Sequence, residues 1–222
     1  MPEPRIRVVV VDDQPLFASG LGMLIDAQPD MECVGTAGDG ARALEVVAEL
    51  RPDVVLMDLR MPGVNGIEAT KLLLARGRAD EPPRVIVLTT LRQDGVVVQA
   101  LAAGASAFLT KDATPDQVLG TIRATQEGAV VPDLAATLAL VADLRGASSG
   151  PARGAALEPL SPREREVFLL VARGLTNAEI AEAEYVSEAT VKSHIAAILR
   201  KLGLRSRVQV VVFAHQNGLV SV

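Results

Sequence analysis

Three aspartates stand where hydrophobic runs end: Asp12 and Asp13 after RIRVVVV, and Asp58 after DVVLM. A fourth run, RVIVL, leads into Thr89 and Thr90, and a fifth, SAFLT, leads into Lys111. Ligands of a parallel sheet gather at the carboxyl ends of its strands. If these runs are such strands, three carboxylates converge on one crevice. Like charges at that range raise each other's pKa and cost energy unless a cation offsets them. An oxygen-only ligand set with room for water suits Mg2+. One carboxylate could then attack a phosphoryl group while the metal offsets charge on the transferring oxygens. A threonine hydroxyl and the point charge of Lys111 would complete the surround of a phosphoaspartate. Taken singly, each aspartate reads as an ordinary helix cap. Matched positions on four strands favour the joint reading.

The elements that must position these residues are legible in the pattern. The runs RIRVVVV, MECVGTA, DVVLMD, RVIVLTT and SAFLTKD are nearly continuous apolar strings, as expected of strands covered on both faces. Helical patterns lie between them: LFASGLGMLIDAQ, GARALEVVAEL, GIEATKLLLARG and GVVVQALAAG, with PDQVLGTIRATQ after the last. Five strands and five helices predict a doubly wound α/β domain with a five-stranded parallel sheet over residues 1–127. Residues 128–157 change character. A possible helix, PDLAATLALVADL, precedes RGASSGPARGAAL, which reads as a flexible linker. Residues 158–222 hold no sheet pattern. PREREVFLLVARG, NAEIAEAE, EATVKSHIAAILRKLG and RSRVQVVVFAHQNG predict an all-α four-helix domain. VQVVVF alone would suit a strand, but the other three helices leave it no sheet to join.

The chain has 222 residues, 49% of them hydrophobic, and a net charge of −5. No apolar run approaches the roughly 20 residues a membrane span needs, and MPEPRIRVVVVDD lacks a signal-peptide pattern, so a cytoplasmic location with no membrane partner is expected. A single cysteine, Cys33, offers neither an internal disulfide nor a thiolate metal site. Residues 1–157 carry 14 basic against 20 acidic side chains, and residues 158–222 eight against seven. From Ala189 onward there are five basic residues, Lys192, Arg200, Lys201, Arg205 and Arg207, and no acidic one. Such a stretch could face phosphates.

Within the second domain, Ser161, Pro162 and Glu164 form a capping-box pattern, and Ser187 caps the third helix. Val191, Ile195, Ile198 and Leu202 recur at helical spacing and should face the core, leaving Lys192, Ser193 and Ala196 outward. A helix with Lys and Ser on its early exposed turns can enter the major groove, while Lys201, Arg205 and Arg207 would touch phosphates. On physics alone, a four-helix domain with a basic end fits protein binding equally well. His194 and His215, twenty-one residues apart without an acidic partner, read as helix surface or packing.

VVVVDDQPLFASGL, VVLMDLRMPGVNGIEAT, VIVLTT and ALAAGASAFLTKD, in that order, resemble the response-regulator receiver family over nearly all of residues 5–127. The resemblance implies a flavodoxin-like receiver in which a sensor histidine kinase phosphorylates Asp58. It further implies that Asp12, Asp13, Asp58 and the backbone carbonyl of Arg60 hold Mg2+, and that Thr89 and Phe108 are the switch pair. Gln14 replaces a histidine often found there. Residues from LSPREREVF to AHQNGL resemble the LuxR-type helix-turn-helix domain, and the pair of domains resembles the NarL/FixJ class. That class implies binding to double-stranded promoter DNA, with phosphorylation promoting a homodimer on paired half-sites. At Glu184 the family usually places a leucine. A lone buried carboxylate is costly, so Glu184 must reach solvent or loosen the domain.

Two rival functions belong to other classes. A phosphatase or flavodoxin-like nucleotide enzyme would want a glycine-rich phosphate loop after the first strand, where DDQPLFASG offers carboxylates instead. A protein-interaction adaptor would keep the helical fold without DNA affinity.

Overall fold

The computed structural model describes residues 5–76, 82–90, 99–126, 155–204 and 206–220. In chain order the first part comprises β1 (Ile6–Val11), α1 (Pro15–Asp26), β2 (Met31–Ala37), α2 (Gly40–Leu50), β3 (Val54–Asp58), α3 (Gly66–Arg76), β4 (Arg84–Thr89), β5 (Ala107–Thr110) and α4 (Pro115–Gln126). Of the expected helix GVVVQALAAG, the described part is helical over 99–102; its start lies outside the described residues.

The five strands form one parallel sheet in the order β2-β1-β3-β4-β5. Consecutive crossovers run outward in opposite directions from β1 and β3, so a crevice opens between the carboxyl ends of these two strands. Val8 to Val11 and Val54 to Met57 are fully buried, which explains why both strands read as unbroken apolar runs. Helices α2 and α3 pack together, and Arg123 ties α4 to the turn between α1 and β2, donating to Asp30 at 2.7 and 2.9 Å and to Gln28 at 3.3 Å. That pairing holds the Asp30 carboxyl below its usual range.

After a 3-10 turn at Ala155–Leu157 come α5 (Pro162–Ala172), α6 (Asn177–Ala183), α7 (Glu188–Leu202) and α8 (Arg207–Gln216). VQVVVF is thus helical, as expected from the lack of a sheet partner. The possible helix at PDLAATLALVADL and most of the linker lie outside the described residues. Phe168 is fully buried and meets Phe213 edge-on, with centroids 6.1 Å apart, at the centre of this second core.

Side-chain capping sets the starts of α5, α6 and α7. Ser161 and Glu164 form the reciprocal box on α5, Thr176 and Glu179 form a second on α6, and Ser187 accepts from Thr190 N at the start of α7. The Glu164 carboxylate also receives Lys201 from α7 at 2.6 Å.

The second core does not stand wholly apart. Val210 and Ala214 of α8 join it, whereas Val208 and Val212 pack with the core of the sheet domain. Ser206 Oγ donates to the Ala105 carbonyl at 3.1 Å, and Gln209 Nε2 to the Ala102 carbonyl at 3.1 Å.

The hydrogen bond and charge of Lys201, with the Ser161 backbone, hold the Glu164 carboxyl down at about 2, against 4.5 for a free side chain. Its folded pKa is depressed, so its contribution is full above pH 4.5 and is lost as pH falls toward about 2. Glu164→Gln should therefore reduce hydrogen-exchange protection of residues 162–172 at pH 7, and the deficit should shrink on acidification through that window. A deficit unchanged down to pH 2 would place the effect elsewhere.

Candidate functional site

The crevice is built from strand ends. Asp12 directly follows β1, and its backbone N–H donates to the Ala37 carbonyl at 2.9 Å, which carries the sheet pairing one residue past the strand. Its Oδ1 accepts from Gln14 N at 2.9 Å. Gln14 is the N-cap of α1 and makes no side-chain cap bond, with Pro15 opening the helix. The acidic pair therefore does not serve as a side-chain cap from the N-cap position.

Asp58 is the last residue of β3. Its Oδ1 accepts from Arg60 N at 3.1 Å and its Oδ2 from Lys111 Nζ at 2.8 Å. Lys111 Nζ also lies 2.6 Å from Asp12 Oδ2, so one ammonium bridges two nearly water-free carboxylates, 2% and 3% exposed as residues. Burial pulls the Lys111 pKa down, but the hydrogen bonds and charges of Asp12 and Asp58 outweigh it and leave it raised. Lys111 N donates to the Thr89 carbonyl at 2.8 Å, which fixes where the lysine leaves the sheet. Its ammonium lies over the ring of Phe17, 4.9 Å from the centroid.

Carboxylate oxygens of Asp12, Asp13 and Asp58 lie within 4.8 Å of one another, with Asp13 exposed and the other two buried. This all-oxygen cluster, open to solvent on one side, can bind a metal ion. Thr89 is buried at the end of β4, and Phe108 is buried in β5, paired across the sheet with Val87. Thr90 is exposed beside Thr89. The backbone of Arg60 stands two residues past Asp58 at the same crevice.

Gly66 explains the close approach of α3 to this crevice. A Cβ there would lie 2.0 Å from the Asp58 carbonyl oxygen, so only a glycine lets the chain pass so near. The pattern PGVNG reads as a turn in sequence; what the turn clears is the backbone of Asp58.

In the helical half, Lys192, Ser193 and Ala196 are exposed on α7 while Val191, Ile195 and Ile198 are buried beneath them. Ser193 Oγ donates to the Ala189 carbonyl at 3.0 Å. Two of the expected phosphate contacts also have partners within the domain. The Arg207 guanidinium is turned into the domain, donating to Asn177 Oδ1 at 2.7 Å and to the Leu175 carbonyl, and burial brings its pKa down to about 10, still charged at neutral pH. Lys201 is held by Glu164. Arg205 lies outside the described residues. Neither neighbouring sequence nor charge order signals these pairings, because the partners lie 30 and 37 residues away.

Glu184 is half-buried and paired rather than alone in the core. Its side chain, 18% exposed, is ion-paired with Arg163, whose second nitrogen donates to the Glu184 carbonyl at 2.8 Å. A carboxylate can stand in the helix-turn-helix turn because the start of α5 supplies its cation. His194 is half-buried on α7.

Comparison with known proteins bears on both halves. Residues 8–123 match the response regulator receiver domain, and residues 158–214 match the luxR family of bacterial regulatory proteins. The transcriptional regulatory protein LiaR of Bacillus subtilis is 40% identical over 216 residues, 97% of this chain and all of LiaR. The nitrate/nitrite response regulator protein NarL of Escherichia coli is 35% identical over 96% of each chain. The crystal structure of the response regulator ChrA, from a heme-sensing two-component system, is 32% identical with a TM-score of 0.52, covering 97% of this chain and 99% of ChrA.

Because the atom nearest a Cβ at position 66 is backbone, Gly66→Ala cannot be absorbed by a rotamer change. It should destabilise the sheet domain by about 1–3 kcal/mol in urea unfolding. An unchanged midpoint would mean that the segment after Asp58 yields freely.

Proposed function

Since the chain belongs to the response regulators of the NarL/FixJ class, two-component transcription regulators with a receiver domain and a LuxR-type DNA-binding domain, we propose that Asp58 is its phosphoacceptor. The donor is a sensor histidine kinase. The observation that carries this reading is the Lys111 ammonium on Asp58 Oδ2 at 2.8 Å, beside the oxygens of Asp12 and Asp13. An Asp58 carboxylate oxygen attacks the phosphorus, an O–P bond forms, and the donor's leaving group departs with its bonding pair. Asp12, Asp13, Asp58 and the Arg60 carbonyl hold Mg2+, which when bound offsets charge on the transferring oxygens. Lys111 contributes a second positive charge from the protein itself.

Thr89 and Phe108 relay the change. The hydroxyl moves toward the phosphoryl group and the ring fills the space it leaves. Residues 1–127 act as receiver, 128–157 as linker and 158–222 as the DNA-binding unit, in the cytoplasm. Phosphorylation favours a homodimer, because one helix-turn-helix reads only a few base pairs and two copies gain through effective concentration. Lys192, Ser193 and Ala196 face the major groove. The pairing of Glu184 with Arg163 supports an intact DNA-binding fold over the adaptor reading.

A small phosphodonor with Mg2+ should label the wild type and leave Asp58→Ala unlabelled, and chelation should stop labelling. The labelled protein should sediment as a dimer on promoter DNA. Labelling of Asp58→Ala, or a labelled protein that stays monomeric on DNA, would refute the respective part.

Lys192→Ala should weaken promoter binding. It should lower the salt slope by about one unit if Lys192 meets a phosphate, or cost roughly 1–3 kcal/mol at one base pair if it reads a base. Unchanged binding would remove α7 from the major groove.

A further inference from the structure

Phe17 has no part in the receiver chemistry described above, yet its ring is the third surface that the Lys111 ammonium touches. The two carboxylate oxygens, at 2.6 and 2.8 Å, fix the lysine from one side. The Phe17 ring closes another at 4.9 Å, leaving the lysine side chain 10% exposed. Lysine is a strongly hydrated point charge on a flexible four-carbon stem. In so dry a position, the water it loses must be replaced by groups of negative potential. Two are carboxylates, and the third is the negative face of an aromatic ring.

The ring stands there for reasons that belong to the same crevice. Asp12 Oδ1 accepts from Gln14 N, Pro15 opens α1 at the next residue, and Phe17 follows on the first turn. The half-buried ring packs against the sheet core. Asp12 therefore pairs with Lys111 directly and sets the helix start from which Phe17 reaches it. On the far side, the Lys111 backbone is pinned to Thr89.

We propose that Phe17 is a positioning residue for phosphorylation: the face of its ring, 4.9 Å from Lys111 Nζ, holds that ammonium aimed at Asp58. This rests on Asp58 being the phosphoacceptor. Once the O–P bond forms, the carboxylate charge that Lys111 faced is gone and phosphoryl oxygens replace it as partner. The Asp12 carboxylate and the ring are the parts of the lysine's surroundings that this chemistry leaves covalently unaltered. A leucine at position 17 would keep Lys111 as dry but would present no negative face, so the proposal separates charge attraction from mere packing.

The test uses the full chain with Phe17 replaced by 4-fluoro-, 3,5-difluoro- and pentafluorophenylalanine, which drain the ring face at nearly constant shape, together with Phe17→Leu and Phe17→Trp. Two quantities are read. One is the initial rate of Asp58 labelling by phosphoramidate at saturating Mg2+. The other is the NMR shift of the Lys111 ε-methylene in the unmodified protein. The rate should fall stepwise along the fluorine series, drop roughly fivefold in Phe17→Leu, and be kept in Phe17→Trp. The ε-methylene should be shifted upfield by the ring in the wild type and lose that shift in Phe17→Leu. Equal rates across the fluorine series, or a methylene shift indifferent to Phe17→Leu, would overturn the proposal. A wild type whose methylene shift follows the ring but which takes no label on Asp58 would instead refute the phosphoacceptor assignment on which it rests.

Discussion

One electrostatic constraint organises the sheet domain: Asp12 and Asp58 are shut away from water side by side, and Lys111 is the cation between them. Two buried carboxylates without a counter-charge would be driven to protonate. The strand order answers this by placing β1 beside β3 and delivering the lysine from the end of β5, two strands away, on a backbone tied to Thr89. The same constraint accounts for Gly66, since the chain after Asp58 must fold back against its own carbonyl to keep the crevice compact. Disturbing any one of these elements moves charge as well as backbone.

What the amino-acid order makes visible is whatever repeats or abuts. Strands buried on both faces appear as valine and isoleucine runs, and their ends are marked by the first charged or hydroxyl residue, which is why Asp12, Asp58 and Thr89 could be placed at one edge, with Lys111 just past the shorter run AFLT. Ser161, Glu164 and Ser187 were equally legible because capping is local. The hidden features are those set by the rotation of one element against another. Whether Phe17 points to the crevice or to solvent depends on how α1 sits on the sheet. Glu184 looked isolated because its partner, Arg163, is 21 residues earlier on another helix.

The basic tail illustrates how charge alone misleads. Five cations and no acid after Ala189 suggest one phosphate-binding surface. In three dimensions Lys201 braces α7 against the cap of α5, and Arg207 braces α8 against the start of α6. Helix α7 still presents Lys192 and Arg200 to solvent. Among the described cations Arg207 is turned inward and Lys201 is paired while still exposed, differences invisible in a count.

The seating of α8 has an energetic corollary. Val208 and Val212 are buried against the sheet domain, next to the carbonyls of residues 102 and 105 that Gln209 and Ser206 engage. Separating the domains would wet both valines, at roughly 1.5–3 kcal/mol each by area. Reversing a two-state population from 1:99 to 99:1 takes about 5.5 kcal/mol. The burial of these two side chains is thus of the same order as the energy that reverses such a population.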